Sequence, residues 1–457
     1  MTSTILYADE TRSTTATEVE SPVTPRDGDS YIDTKSEIVQ TTEEGDVEKA
    51  ANTISSPDSD PPPDGGLAAW LVIFGCACGG FATFGFANAF GVFQAYYQDR
   101  IPGATPSTVA WIGSLQYCLI FLPALPSGHM TDRGWLKIPL LVGSIVLVAA
   151  TFLIAECKQL WQLILCQGFA IGGASSFVYP PSISVVPQWF DKRRGRAYGV
   201  LALGSAIGGT TLPIILRKLL DLVGFEWTVR ILGFIFLGLL TIFNVLVRAR
   251  KTQHTHEIPK TPLASLFKNK PYMVYTAAIT VIWLGMYTPL GFFDVYAQRI
   301  GVPPSKSFYT IVAANAASGA GRFSSGLWAE HLGSMNVLTL FSFIAAVTSV
   351  CWPYAQSYPS LLVVAVLFGF SSGAFISLLP SAISYMVPRH QLGRAIGLSG
   401  TIMSIGALVG NPIAGQILIV SGGFDAVGAW AGGTIFISVI LMIVSRRLAL
   451  GGWKGKY

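Results

Sequence analysis

Gly128-His129-Met130-Thr131-Asp132 recurs 198 residues later as Gly326-Leu327-Trp328-Ala329-Glu330. At the same offset Gly195-Arg196-Ala197-Tyr198-Gly199 recurs as Gly393-Arg394-Ala395-Ile396-Gly397. Each copy lies between apolar stretches long enough to cross a bilayer, and each sits at the same place within its half of the chain. A membrane chain built from two related halves has the ingredients of a transporter, because halves that rock against each other expose a site between them to either side in turn.

Composition supports the membrane reading. The 457 residues are 51% hydrophobic and only 12% charged, about half the charged fraction of an ordinary soluble domain. The net charge of +5 conceals an asymmetry, since the first 64 residues hold 15 acids and 4 bases. That segment is rich in Ser, Thr, Glu, Asp and Pro and lacks apolar periodicity, so residues 1–63 are expected to form a disordered acidic tail. It shows no basic start followed by an apolar core and a cleavage site, so the first span is expected to serve as the targeting signal. The six cysteines show no paired C-x-x-C spacing and the five histidines lie in or beside loops. No metal or other cofactor is expected.

A bilayer core of about 30 Å needs roughly 20 mostly apolar residues per helix, and on that criterion the chain reads as twelve spans. Spans five to eight fall at 196–216, 229–247, 272–297 and 308–328. The fold class is thus an all-α membrane protein, with one six-helix bundle over 64–247, a polar linker at 248–271, a second bundle over 272–447 and a tail at 448–457. Placing both termini in the cytoplasm puts eighteen Lys and Arg in the inner segments against seven in the outer loops, the bias that sets topology. Both copies of each motif then fall on the cytoplasmic side, so the halves are parallel repeats about an axis normal to the membrane.

The residues resemble the major facilitator superfamily and, within it, the monocarboxylate porter family in its fungal form. Gly128, Asp132 and Arg133 look like the superfamily's G-x-x-x-D-R motif between spans two and three. Asp64-Gly65-Gly66 with Trp70 is similar to the D-G-G-x-x-x-W opening of monocarboxylate porters, and Trp189 to Gly199 is similar to their second signature. The resemblance covers residues 61–450 and implies the major facilitator fold. Physical reasons stand beside it: Gly128 and Gly326 permit close helix contact, while Asp132 and Glu330 can meet a cation or a helix N-terminus across the seam between halves. Arg196 and its counterpart Arg394 are candidates for a gating role, although the basic run at 192–196 also reads as a topology determinant or an anionic-lipid contact.

Arg322 is the most informative single residue, since a cation inside span eight must face a cavity or a partner. Its repeat-related position is Ala124, so the repeat does not require it. The resemblance implies contact with a substrate carboxylate, for which a guanidinium is well shaped. Snorkelling or pairing with Glu330 is the alternative. Asp294 is the candidate for coupling, either a titrating carboxylate or an interfacial acid beside Arg299. Asn88, Tyr179, Tyr287 and Asn315 are candidates for lining the cavity, with packing as the alternative for each. Animal relatives couple protons through a Lys in span one and carry an Asp where this chain has Ser318. Spans one and two contain no Lys, which weighs against proton-coupled lactate or pyruvate transport.

The expected function is secondary transport, by alternating access, of a small organic molecule, an anion or secondary metabolite with efflux as one direction. A monocarboxylate uptake carrier and a transport-dead nutrient sensor are the alternatives. No catalytic constellation lies within the spans, no G-x-x-x-x-G-K-S/T nucleotide motif occurs, and no nucleic-acid partner is expected. The partners are the bilayer, the substrate and possible protons, with the plasma membrane ahead of vacuolar or other organellar membranes.

Overall fold

A computed structural model of the chain describes residues 62–101, 105–250, 262–452 and 455. The expected tail, save its last two residues, and the middle of the linker lie outside the described residues. Within them every regular element is helical. In chain order α1 is Leu67–Asn88, α2 Thr108–Asp132, α3 Lys137–Ile154 and α4 Leu160–Trp189. A helical stretch of 53 residues, Arg194–Leu246, follows. The second half contains α7, Lys270–Arg299, α8, Pro304–Leu332, α9, Ser334–Cys351, α10, Tyr358–Met386, α11, Leu392–Ser421, and α12, Phe424–Leu450.

Ten of these segments are long and apolar enough to cross a membrane on length and composition. Two physical facts reconcile ten with twelve. As one rod, 53 residues would reach about 80 Å, far beyond a bilayer core. The stretch is broken at Gly224, whose φ of 76° and ψ of 175° are non-helical, so it comprises α5 (194–223) and α6 (225–246). The loop expected between spans five and six is therefore helical on both sides of a single glycine. The remaining span is α8, whose hydropathy is lowered by Asn315, Arg322, Glu330 and several serines. A helix enclosed by protein can carry such residues, whereas a lipid-facing one cannot.

Lipid exposure is concentrated on the helices that the repeat makes equivalent. On α3, Ile138, Leu141, Val142 and Ile145 are all more than half exposed, a stripe at helical spacing. Phe234 and Leu237 on α6, Leu340, Phe343 and Val347 on α9, and Phe436, Ile437 and Ile440 on α12 repeat the pattern. Large apolar side chains turned outward are stable only against hydrocarbon. The two halves meet along two seams, α2 against α11 and α5 against α8. The 198-residue offset maps α2 onto α8 and α5 onto α11, so one seam is a copy of the other.

The turn between α5 and α6 tests the division of the long helix. Gly224 occupies a backbone region essentially reserved for glycine, so Gly224→Ala should cost about 1–3 kcal/mol. The lower thermal midpoint of the purified protein, compared with Gly238→Ala on α6, measures it.

Candidate functional site

At the end of the bundle that carries the basic loops, the repeated motifs of each half dock on those of the other. Gly128 of α2 lies so close to the Gly393 carbonyl that a Cβ at either position would overlap the facing chain. The copy of this contact joins Gly326 of α8 to Gly195 of α5, where a Cβ on Gly326 would stand 2.6 Å from the Gly195 carbonyl oxygen. Charges reinforce both contacts. Asp132 accepts from the backbone N–H groups of Gly393 and Arg394, both at 2.8 Å, and from Arg394 Nε at 3.3 Å. It therefore caps α11 from the other half, where a carboxylate is favoured by the helix dipole. In the copied contact Arg196 Nη2 donates to Glu330 Oε2 at 2.7 Å. Glu330 pairs with Arg196 and not with Arg322. Arg133 is exposed beside the clamp.

A second layer of polar contacts joins the two signature segments to each other and to the second half. Asp191 bonds Arg194 at 2.5 Å and, across the seam, Arg389 at 2.9 Å. Arg194 Nη1 donates to the Ser384 carbonyl at 3.1 Å and its guanidinium lies 5.0 Å from the Tyr385 ring. Asp64, at a φ of 50°, accepts from the N–H of Asp191 at 2.5 Å, and its own N–H donates to the Trp189 carbonyl at 3.2 Å. Trp70 packs edge-on against Phe190 at 4.9 Å. The two signature segments thus form one unit that presents Asp191 and Arg194 to the second half. The signal was the pairing of an acidic and a basic motif about 130 residues apart, which sequence alone does not join.

Toward the opposite end the α5–α8 seam stays joined, with the Arg217 guanidinium 3.8 Å from the Phe308 ring centroid, whereas a space opens beside the other seam. α2 and α11 stay in contact past Thr401, whose Oγ1 donates to the Leu122 carbonyl at 2.9 Å, to Cys118 beside Ser404. Beyond that point a cavity of about 570 Å³ opens between α2, α11, α7 and the helix Phe90–Arg100 that continues α1. Its size falls in the range of about 300–1,000 Å³ typical of small-molecule sites. Helix breaks position its inner end. α1 pauses at Ala89, with φ −84° and ψ −2°, and α7 pauses at Tyr287, with φ −92° and ψ −6°. These positions are 198 residues apart, so the break belongs to the repeat. Pro289 marks the second break in sequence; the first has no proline and gave no such sign.

An aromatic layer closes the inner end. Tyr117 of α2 meets Tyr287 at 5.2 Å between ring centroids, Trp283 stacks on Tyr287 at 5.0 Å, and Phe121 meets Trp283 edge-on at 5.2 Å. The Tyr117 hydroxyl donates to Asn88 Oδ1 at 2.6 Å. Tyr179, where α4 restarts after a break at Phe177, packs on Phe84 at 4.7 Å behind this layer. Tyr287 also borders a second, much smaller pocket that includes Asn88, Asn315, Ser318 and Arg322.

Arg322 is 2% exposed and bridges the halves. Its Nη1 donates to the Ala202 carbonyl of α5 at 2.8 Å and to the Ser205 hydroxyl, while Nε donates to Ser318 Oγ at 3.3 Å. Asn315, two turns earlier on the same helix face, donates from Nδ2 to the Gly209 carbonyl of α5 at 3.4 Å. The structure therefore brings together Asn88, Tyr287, Asn315 and Arg322, and sets Tyr179 behind them. Asp294 stands apart at the α7–α8 corner, where it accepts from Ser307 Oγ at 2.5 Å and Gln298 Nε2 at 3.1 Å.

Two pseudo-symmetric helical bundles, closed together at one end and parted by a cavity at the other, define a membrane carrier. The model of the Major Facilitator Superfamily matches residues 71–358 and 341–450, and the chain belongs to that superfamily: it is a multi-pass membrane protein and a transporter of small molecules. It is 35% identical over 413 residues to "MFS-type transporter 1" of Ophiocordyceps sp. (strain BCC 1869), covering 90% of this chain and 92% of the relative. It is 33% identical to an aspyridones efflux protein of Emericella nidulans, covering 88% and 82%, and 34% identical to an agnestins efflux protein of Paecilomyces divaricatus, covering 89% and 92%. Among solved structures, the transporter FucP in its outward conformation superposes with a TM-score of 0.64 at 13% identity over 82% of this chain and 99% of that one. The human organic anion transporter MFSD10 gives 0.62 at 14%, over 82% and 98%. At such identities these two structures speak for the fold alone.

The clamp predicts a charge-swap pattern. Arg196→Glu or Glu330→Arg alone should raise maleimide labelling of a cysteine placed at Ala124, applied from the basic end, by about fivefold, as losing about 1 kcal/mol from the closed state implies. The double reversal should restore protection. Labelling that is equally high in the double variant would show that the pair does not hold this end shut.

Proposed function

We propose that the chain exports a small organic acid or related secondary metabolite by alternating access. The observation that carries the reading is the pairing of a reciprocal clamp at one end with a cavity between the halves at the other. The names of relatives that align over most of the chain, two of them efflux proteins, supply the direction and the substrate class. The excess of Lys and Arg at the clamp end assigns that end to the cytoplasm, with both termini there, and the cavity then opens outward in the state that releases cargo. The plasma membrane is the proposed site. Within the superfamily we assign the chain to the monocarboxylate porter type, because the two signatures that suggested it dock on each other through Asp64 and Asp191.

Arg322 is the proposed anion contact. In the closed-clamp state its Nη1 and Nε are engaged within the protein, so an acidic group on the substrate competes with Ala202 and Ser205 for the guanidinium as the halves part. Asn88, Asn315 and Tyr287 surround the same small pocket and orient the substrate there. Asp294 is the proposed coupling residue, acting at the α7–α8 corner through its bonds to Ser307 and Gln298 and not through substrate contact.

Comparison of metabolites in medium and cells, between cells lacking and overexpressing the protein at several external pH values, tests the reading. A compound should gather in the medium with expression and in the cells without it. Arg322→Gln should reduce its export by roughly 30-fold, the scale of about 2 kcal/mol for losing a charged hydrogen-bonded contact, at unchanged surface delivery. Asp294→Asn should lower export at unchanged surface delivery if the α7–α8 corner takes part in coupling. No compound that follows expression would sink the exporter reading, and unchanged export by Arg322→Gln would remove the anion contact alone.

A further inference from the structure

The outer cavity is chemically unlike the small pocket beneath it. Its walls come from both halves, with Phe90, Gln94, Trp111 and Ser114 on one side and Phe292, Asn411 and Gln416 on the other, and Tyr117, Trp283 and Tyr287 at the inner end. Among the described residues that line it there is no Asp, Glu, Lys, Arg or His. The charge of Arg322 lies on the far side of Tyr287, which borders both spaces. A carboxylate or ammonium group entering this cavity would lose hydration with no opposite charge to replace it. A neutral group would not.

The lining instead offers faces and amides. Six aromatic rings from α1, α2 and α7 surround the space, and ring faces favour offset or edge-on contact with other flat π-systems. Gln94, Asn411 and Gln416 each carry a donor and an acceptor suited to a carbonyl or amide on the ligand. Two donors at the inner end are unused: the indole Nε1 of Trp283, a residue only 4% exposed, and the Tyr287 hydroxyl have no hydrogen-bond partner among the described residues. Buried polar groups without partners are uncommon in native structures and call for an explanation. A carbonyl oxygen on a bound ligand would supply one, once the stacked pair Trp283–Tyr287 turns toward it.

From this lining we infer that the outer cavity is a binding site for the flat, conjugated, uncharged body of the substrate, a carbonyl-bearing ring system, separate from the charged pocket at Arg322. The inference rests on the transporter reading and deepens it by naming what the cavity recognises. The substrate's body is held by stacking and amide hydrogen bonds in the outward state, whereas any acidic group reaches Arg322 only after Tyr117 and Tyr287 separate. Pro412 adds to the site, because a proline within α11 leaves the Leu408 carbonyl without its i+4 partner beside the lining residues Asn411 and Pro412.

Equilibrium dialysis tests the inference with the full-length chain in lipid nanodiscs, the background of empty nanodiscs being subtracted. Three probes share one ring system: 1-pyrenecarboxamide, 1-pyrenecarboxylate and 1-pyrenemethylammonium. The carboxamide should bind at least about tenfold more tightly than either ion, because each ion would leave an unpaired charge in the cavity. Trp111→Ala and Asn411→Leu should each weaken carboxamide binding by about fivefold or more, the one by losing a ring face and the other an amide. Phe436→Ala, on the lipid face of α12, should leave it unchanged. Equal or tighter binding of either ion overturns the inference, as does carboxamide binding that is absent or indifferent to both cavity variants. Because dialysis reads binding alone, a chain that binds the carboxamide but exports no metabolite keeps this inference and loses the exporter reading.

Discussion

Backbone-to-backbone approach at Gly128–Gly393 and Gly195–Gly326 is the constraint on which the rest of the structure depends. Only residues without a Cβ allow α2 to touch α11 and α5 to touch α8 this closely, and only at that distance can Asp132 reach the N–H groups at the start of α11. The geometry comes first and the charges follow from it. The two contacts are not identical. Asp132 caps a helix and bonds an arginine, whereas Glu330 bonds an arginine through one oxygen and leaves Oε1 without a partner among the described residues. Individual contacts of this kind, largely buried and net of the desolvation of their charges, contribute about 1 kcal/mol each. Their sum fits a carrier, which needs an end that closes firmly and opens again within a few kcal/mol.

The inner end of the cavity obeys a second version of the same repeat. A break at Ala89 and a break at Tyr287 interrupt α1 and α7 with nearly the same backbone angles, although the residues that produce them differ. The segments that follow the breaks, Phe90–Arg100 and Thr288–Arg299, line the cavity through Phe90, Gln94 and Phe292, with Tyr287 at its inner end. Arg322 then sits one layer deeper, where its bonds to Ala202 and Ser205 tie α8 to α5. A cation so placed is satisfied without a substrate, which is why burial at bilayer depth does not by itself decide between a ligand and a strut.

The repeat made the fold legible. The offset that joins Gly128 to Gly326 and Gly195 to Gly393 implies both the parallel halves and the end at which they meet, and the structure joins each motif to the counterpart expected from symmetry. What periodicity could not supply was lateral adjacency: Asp64 meets Asp191, and Asp191 meets Arg389, through contacts that span up to about two hundred residues of chain and depend on how helices pack. Hydropathy also underrates α8, because its polar face is covered by α5 and α10, and overruns the junction of α5 and α6, because one glycine turns the chain without a polar loop. The candidate residues in spans one, seven and eight border one small pocket. Asp294 does not join them, since the break at Tyr287 directs the second part of α7 toward the start of α8.

The same helix carries both ends of the mechanism. α11 begins at the clamp, capped by Asp132, and ends beyond the cavity wall at Gln416, with 23 residues from Gly393 to Gln416 giving a length of roughly 35 Å. A tilt of about 10° about the clamp would move its far end by about 6 Å, given that length, enough to open or close the space between Ser114 and Gln416 while Gly393 scarcely moves. On the proposed mechanism, loss of the Asp132 cap would free the other end to swing instead. In the proposed alternating access the clamp and the cavity are two positions on one lever, with the glycine contact as its pivot. On that reading, opening one end while closing the other follows from the stiffness of a hydrogen-bonded helix, with Pro412 the proline at which α11 can bend beside the site.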